Sequence, residues 1–292
     1  MEVTKELQPQ WNSIILDVLR EFINICKHHG LTYYCAYGTV IGAVRHHGMI
    51  PWDDDIDVYM PRPDYERFLD ITSKIDLGNY EVVSPYTNNS YPLYFAKMCN
   101  KRTTLIEVAD TPCVIGLYID IFPLDGASDN LDETRTMIAR FMKIRNKLGA
   151  ISTHNKFGDY LKLALQPKEW GRFVYKTYGF FFRNSYREKL LLQLEAIAHK
   201  YNYNESNYVA MYFGCYGKKE VFPKSWLQNT AQCDFEGTTV DFPGEFDKYL
   251  EHYYGDYMQL PPESERVPRH QKAYFNLEER LPNDIALSHI RR

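Results

Sequence analysis

No stretch of this 292-residue chain approaches the roughly 18 to 20 consecutive apolar residues that a membrane-spanning helix requires. Its first residues, MEVTKELQPQ, lack the basic start and apolar centre of a signal peptide, so a cytoplasmic protein is expected. Metal-type cysteine spacing is absent too. Cys26, Cys35, Cys99, Cys113, Cys215 and Cys233 are scattered with no CxxC pair, which predicts free, mostly structural thiols in a reducing compartment. Nor is there an excess of positive charge: 34 basic side chains face 38 acidic ones, a net charge of −4, which argues against nucleic acid as a partner. What remains is an ordinary globular composition, 45% apolar and 25% charged, with 24 Tyr, 16 Phe and 4 Trp as its unusual feature.

Apolar periodicity predicts an α/β unit with a mixed sheet in residues 1–125. Trp11, Ile15, Val18, Leu19, Phe22 and Cys26 form the stripe of a helix ending at Gly30. Strands are expected at Leu31 to Tyr37, Ile56 to Met60, Tyr80 to Ser84, Tyr94 to Met98, Thr104 to Val108 and Gly116 to Phe122. Thr39 to His46 can open a short helix, and Pro61 to Ile75 reads as a longer one with Tyr65, Phe68, Leu69, Thr72 and Ile75 inward. Residues 126–200 read as a helical segment. Within it, His154 to Lys200 carries a net charge of +5 and ten aromatics, including Phe180, Phe181 and Phe182. Such a stretch is either a helical cap with solvated Lys and Arg stems or an interfacial element that touches anionic lipid. Residues 201–292 hold short strands and a helix from Glu245 to Tyr254 closed by Gly255, expected to pack back on the first half. Arg266, Arg269 and His270 read as a solvated tail in preference to a cover over the site.

The sharpest signal is Trp52-Asp53-Asp54-Asp55-Ile56-Asp57-Val58. In an extended chain, a period of two puts Asp53, Asp55 and Asp57 on one face and turns Ile56 and Val58 into the core. Three carboxylates on one face repel, which suits a seat for a hard divalent cation. An EF-hand loop fits poorly, because Val58 stands where its glycine belongs and Asp64 where a bidentate Glu is usual. A solvated edge strand explains one or two of these acids but not all four. Asp120, in the otherwise apolar run Gly116 to Phe122, is a second buried acid that needs a partner or a metal, or serves as a base. Upstream, Gly38-Thr39 ends a strand, and Gly42 and Arg45 follow; small residues and a guanidinium fork suit a phosphate. Lys97 either reaches the same phosphate or snorkels to the surface.

The string GTVIGAVRHHGMIPWDDDIDVYMPRPDYERF, with Phe95-Ala96-Lys97, Tyr118-Ile119-Asp120-Ile121-Phe122-Pro123-Leu124-Asp125 and Tyr253-Tyr254-Gly255-Asp256-Tyr257, strongly resembles the LicD family of phosphotransferases. That resemblance implies a nucleotidyltransferase-like mixed sheet in residues 1–125, with Gly38 and Thr39 as its turn, Asp55 and Asp57 as its Asp-x-Asp pair and Asp120 as its third acid. Catalysis then falls to Asp55, Asp57 and Asp120, with Asp53 an additional candidate metal ligand and Gly38, Thr39, Arg45, Trp52 and Lys97 candidates for binding substrate. The implied cofactor is Mg²⁺ or Mn²⁺. The implied reaction moves phosphocholine from CDP-choline to a hydroxyl of a glycan or lipid-linked glycan such as a teichoic acid precursor, with release of CMP. Trp52, Tyr37 and Tyr59 are candidates for an aromatic box around choline, or for the core. A lipid-linked acceptor would bring His154 to Lys200 to the inner leaflet of the membrane. Transfer of ribitol phosphate or glycerol phosphate from a CDP-alcohol, metal-dependent glycosyl transfer, and a non-catalytic Ca²⁺-binding carbohydrate module are the alternatives.

Overall fold

The computed structural model describes residues 1–152, 163–268 and 270–290. Helix α1, Gln8–His29, begins with Pro9 in its first turn and stops where Gly30 takes a left-handed φ of 60°. Its buried stripe of Trp11, Ile15, Val18, Leu19, Phe22 and Cys26 lies against the sheet, as the periodicity predicts. Strand β1 is only Tyr34–Cys35, shorter than the run Leu31 to Tyr37, because Tyr37 turns to a φ of 46° and starts helix α2, Tyr37–Ile41. That helix passes into a π-helical turn, Gly42–His46, where Gly42 is needed: a Cβ there would lie 2.5 Å from the Gly48 carbonyl oxygen.

Strand β2, Asp57–Pro61, leads into α3, Arg62–Thr72, which buries Tyr65, Phe68 and Thr72. The helix ends before Ile75, which is 41% exposed and not inward as expected. There follow β3, Tyr80–Val83, β4, Ala96–Asn100, β5, Thr104–Ile106, and β6, Tyr118–Ala127. The main sheet runs β1-β2-β6-β4-β3, with β2 and β6 parallel and the other pairs antiparallel. It is therefore a mixed sheet in an α/β fold. Strand β4 sits two residues later than the apolar run Tyr94 to Met98, and β5 leaves the main sheet to pair with β11, Tyr274–Asn276.

Helix α4, Leu131–Ser152, packs on α6, Arg183–Ala198, with α5, Trp170–Phe181, between them in sequence. Phe141, Leu148, Leu190 and Leu194 make a second apolar core there. The ten-residue β6 reaches this layer because its last residues pair with β7, Tyr208–Ala210, which pairs in turn with β8, Val221–Pro223. The hairpin β9, Ala231–Phe235, and β10, Thr238–Phe242, turns at Glu236 and Gly237, both at positive φ, which fits the right-handed twist of the strands. Helix α7, Phe246–Tyr254, buries Tyr249, Leu250 and Tyr253 against the main core, and α8, Asn283–Ser288, closes the described chain. All six thiols are free; Cys26, Cys35, Cys99 and Cys113 are buried, Cys233 is half-buried and Cys215 is exposed. Among the described residues no helix is long and apolar enough to cross a membrane.

Candidate active site

Strand register brings the charged groups together. Asp57 on β2 lies opposite Asp120 on β6, and Asp120 lies opposite Lys97 on β4, so the three form one row across the sheet. Asp55, two residues before Asp57, keeps the same side. One carboxylate oxygen from each of Asp55, Asp57 and Asp120 falls within 4.8 Å of the others. Their floor opens into a cleft of about 920 Å³ that is also lined by Gly38, Arg45, Trp52 and Asp53. A shallower hollow of about 610 Å³ against α1 gathers no comparable set of acids.

The alternation expected for the acidic run holds, although regular pairing begins only at Asp57. Asp53, Asp55 and Asp57 line the cleft; Ile56 and Val58 are fully buried. Asp54 turns the other way. Its carboxylate accepts from His270 Nδ1 at 2.8 Å and pairs with Lys272 Nζ, while Trp11 Nε1 donates to its carbonyl at 2.8 Å. Burial pushes the Asp54 carboxyl up, but the two cations outweigh it and hold it below its ordinary value. Tail residues His270 and Lys272 thus tie the chain end to the acidic run, and His270 Nε2 also comes within 3.3 Å of Asp55 Oδ2. The solvated tail expected from sequence is corrected on this point, and Arg266 stacks over Trp52 at 5.5 Å. Arg269 lies outside the described residues.

The Gly38-Thr39 turn is built around this cluster. A Cβ on Gly38 would stand 2.9 Å from Asp53 Oδ2, and Thr39 Oγ1 accepts from the Asp57 N–H at 2.9 Å. Thr39 therefore sets the first residue of β2, and its own N–H donates to the Ala36 carbonyl. Arg45 lines the cleft with Nη1 donating to the Tyr257 carbonyl at 2.5 Å. Lys97 is 1% exposed, so it does not snorkel to the surface. Its Nζ is 2.7 Å from Asp120 Oδ1, 3.4 Å from Glu107 Oε1 and 3.2 Å above the centre of the Tyr118 ring. Of the aromatics singled out in sequence, Tyr37 and Trp52 line the cleft, whereas Tyr59 is fully buried in the core.

Burial and the repulsion among Asp53, Asp55, Asp57 and Asp120 push Asp55 and Asp57 well above the ordinary carboxylate range. Asp120 is also raised by burial, with Lys97 opposing. The Lys97 ammonium 2.7 Å from Asp120 Oδ1 is too little by itself to balance three carboxylates. Three converging carboxylates are hard oxygen donors whose mutual repulsion a divalent cation would relieve, so these residues fit one. Glu220, fully buried beside the cleft wall, and the Asp54–Lys272 anchor were not found from sequence. Both depend on pairings across some two hundred residues, and no local pattern marks them.

Three carboxylates converging beside a Gly-Thr turn on a mixed sheet form a seat for a divalent cation, the arrangement that the resemblance to a nucleotidyltransferase-like domain implies. The profile of the LicD/FKTN/FKRP nucleotidyltransferase domain matches residues 30–148. The lipopolysaccharide cholinephosphotransferase LicD of Haemophilus influenzae is 30% identical over 274 residues, which cover 90% of this chain and 96% of that protein. An uncharacterized protein of Rickettsia typhi is 22% identical over 170 residues, 57% of this chain and 50% of its own. The chain belongs to the LicD family.

Proposed function

We propose that this enzyme transfers phosphocholine from CDP-choline to a hydroxyl of a cell-surface glycan precursor such as teichoic acid, releasing CMP. The observation that carries the reading is the convergence of Asp55, Asp57 and Asp120 within 4.8 Å on the floor of the cleft. The named activity of the Haemophilus influenzae relative supports the choice of phosphocholine. Asp55, Asp57 and Asp120, with Asp53 beside them, would hold Mg²⁺ or Mn²⁺, which when bound neutralises charge on the donor pyrophosphate. The acceptor oxygen forms its bond to the choline-bearing phosphorus as the bond from that phosphorus to the CMP oxygen breaks. Asp120 takes the acceptor proton, and Lys97 beside it limits the cost of its buried charge. Arg45, Trp52 and Gly38, which line the cleft, would frame the nucleotide, with Thr39 bracing the turn from behind.

Incubation with Mg²⁺, a glycan acceptor and CDP-choline, CDP-ribitol, CDP-glycerol or a UDP-sugar tests this. CMP released with CDP-choline supports the reading; CMP only with CDP-ribitol or CDP-glycerol moves it to another alcohol phosphate, and UDP release moves it to glycosyl transfer. A cytoplasmic enzyme acting on a lipid-linked glycan would rest α5 on the inner leaflet, supported by the exposure of Trp170 and Val174 there and by the basic stretch to Lys200. Part of that stretch, 154–162, lies outside the described residues. Sedimentation with anionic liposomes at low and high salt checks it, and no binding at either salt counts against it.

A further inference from the structure

Behind one wall of the cleft sits a carboxylate that the acidic cluster does not use. Glu220 has no solvent exposure. Its Oε2 accepts from the Tyr37 hydroxyl at 2.7 Å and the Tyr253 hydroxyl at 3.2 Å, and its Oε1 accepts from the Tyr216 N–H at 2.8 Å. Gly214 leaves room for it, since a Cβ there would fall 1.9 Å from Oε1. Every one of these donors is neutral. Among the described residues no cation pairs with Glu220, and the adjacent Lys219 sends its Nζ to the Tyr253 carbonyl. Burial pushes the carboxyl up to about 7, with the three hydrogen bonds opposing.

In front of that carboxylate are ring faces. Tyr37 stacks on Tyr216 with centres 5.4 Å apart, and Tyr254 stands edge-on to Tyr216 with their hydroxyls at 3.1 Å. All three rings line the same cleft as Asp57. Tyr37 holds a left-handed backbone that side chains disfavour, fixed by its hydroxyl on Glu220 and by its N–H, which donates to Tyr249 Oη at 3.0 Å. The next two residues are Gly38 and Thr39, so the wall and the turn beside the acids share one piece of backbone. A quaternary ammonium has no N–H to donate. It is recognised by π-faces and by diffuse negative charge, and a phenol donating to a carboxylate is polarised so that its ring is richer in electrons.

We propose that Tyr37, Tyr216 and Tyr254, backed by Glu220, form the receptor for the quaternary ammonium end of the donor. Tyr216 and Tyr254 touch the cation, and Glu220 acts through Tyr37 as a positioning residue and as buried counter-charge. This assignment rests on the phosphocholine reading. It predicts selection for charge, whereas stacking of a nucleotide base on the same rings predicts none.

Calorimetry with Mg²⁺ and no acceptor compares CDP-choline with CDP-dimethylbutanol, in which carbon replaces the ammonium nitrogen. The wild-type chain should bind CDP-choline about tenfold more tightly. Glu220→Gln and Tyr216→Leu should bring that ratio close to one, and Tyr216→Phe should keep it. If Glu220→Gln fails to fold, as circular dichroism would reveal, the two Tyr216 variants decide alone. A wild-type ratio near one, or a ratio unchanged by Tyr216→Leu, overturns the assignment, the former in favour of base stacking and the latter in favour of a cation site away from these rings. CMP release from CDP-choline, followed in parallel, reads the function separately. Turnover with an unchanged ratio removes the receptor alone; turnover of CDP-ribitol but not CDP-choline removes both.

Discussion

Asp120 and Asp125 are two buried acids on the same strand, and their surroundings differ in kind. Asp125, at an odd spacing from Asp120, turns to the other face, where Arg62 grips it in a two-point contact: Nε to Oδ1 at 2.6 Å and Nη2 to Oδ2 at 2.9 Å. Burial weakens the Arg62 charge, but Asp125 more than offsets this and holds the guanidinium protonated. That pair is complete. Asp120 instead shares one ammonium, Lys97, with Glu107 and faces two further carboxylates. A buried charge that its own fold satisfies belongs to the architecture; one left incomplete by neighbours of the same sign is held ready for something from outside.

Asp57→Asn should separate the two most sharply. Turnover should fall at least about 10³-fold, on the order of 4 kcal/mol in the barrier, as CMP release would measure. The melting temperature should hold or rise, because one of the mutually repelling carboxylates is gone. A strong loss of stability would mean that this row is a structural pair like the other one. Arg62→Met reverses the pattern. Leaving Asp125 buried and unpaired should cost about 3–5 kcal/mol, visible as a drop of roughly 10 °C in melting temperature. The rate per folded molecule should stay within about twofold, and adding Asp125→Leu should recover much of the stability.

Glu220 extends the comparison to a third buried acid, hydrogen-bonded but without a counter-ion. Its folded value of about 7 lies above the ordinary 4.5. Below the lower value it is protonated in both states. As pH rises between the two, the unfolded chain ionises first and is favoured, so Glu220 should cost up to about 3 kcal/mol by pH 7 and no more above it. Tyr37, Tyr253 and Tyr216 face it, all neutral in that range. Denaturant midpoints at pH 5 and pH 7.5 for the wild type and Glu220→Gln test this, and equal slopes with pH in the two proteins would count against it.

A cation should act on one of the two β6 sites only. At about a hundred times its dissociation constant, Mg²⁺ should stabilise the folded wild type by between about 2 and 3 kcal/mol. The shift should survive in Arg62→Met and vanish in Asp57→Asn. Loss of the shift in both would tie the ion to global folding and not to the acidic row.

What could be read in the sequence follows the range of the interactions. The alternation of Asp53, Asp55 and Asp57 against Ile56 and Val58 is a local property of extended backbone, and the stop at Gly30 is a property of one residue. Both were legible. Lys97 was ambiguous because its fate depends on which strand β4 meets; only the register opposite Asp120 buries it. Asp120 and Asp125 look alike in an apolar run, and what distinguishes them is Arg62, whose place is set by the parallel pairing of β2 with β6. Ile75 misled because apolar periodicity runs past the end of the helix.

Gly38 provides the smallest test, and it probes the join between fold and site. Its missing Cβ leaves Asp53 Oδ2 room to come against the turn, on the same side as Asp55 and Asp57. At 2.9 Å a methyl group is too close to that oxygen, so in Gly38→Ala the carboxylate must swing or the turn must move. The backbone of Gly38 is helical, so alanine brings no strain of its own, and the strain of the contact should be about 1 kcal/mol. Since Thr39 Oγ1 fixes the Asp57 N–H from the next residue, part of any shift in the turn passes to the row. Turnover should fall about tenfold with the melting temperature little changed. Full activity would show that Asp53 is free to move and has no share in the site; activity lost together with stability would show that the turn belongs, like Arg62 and Asp125, to the architecture.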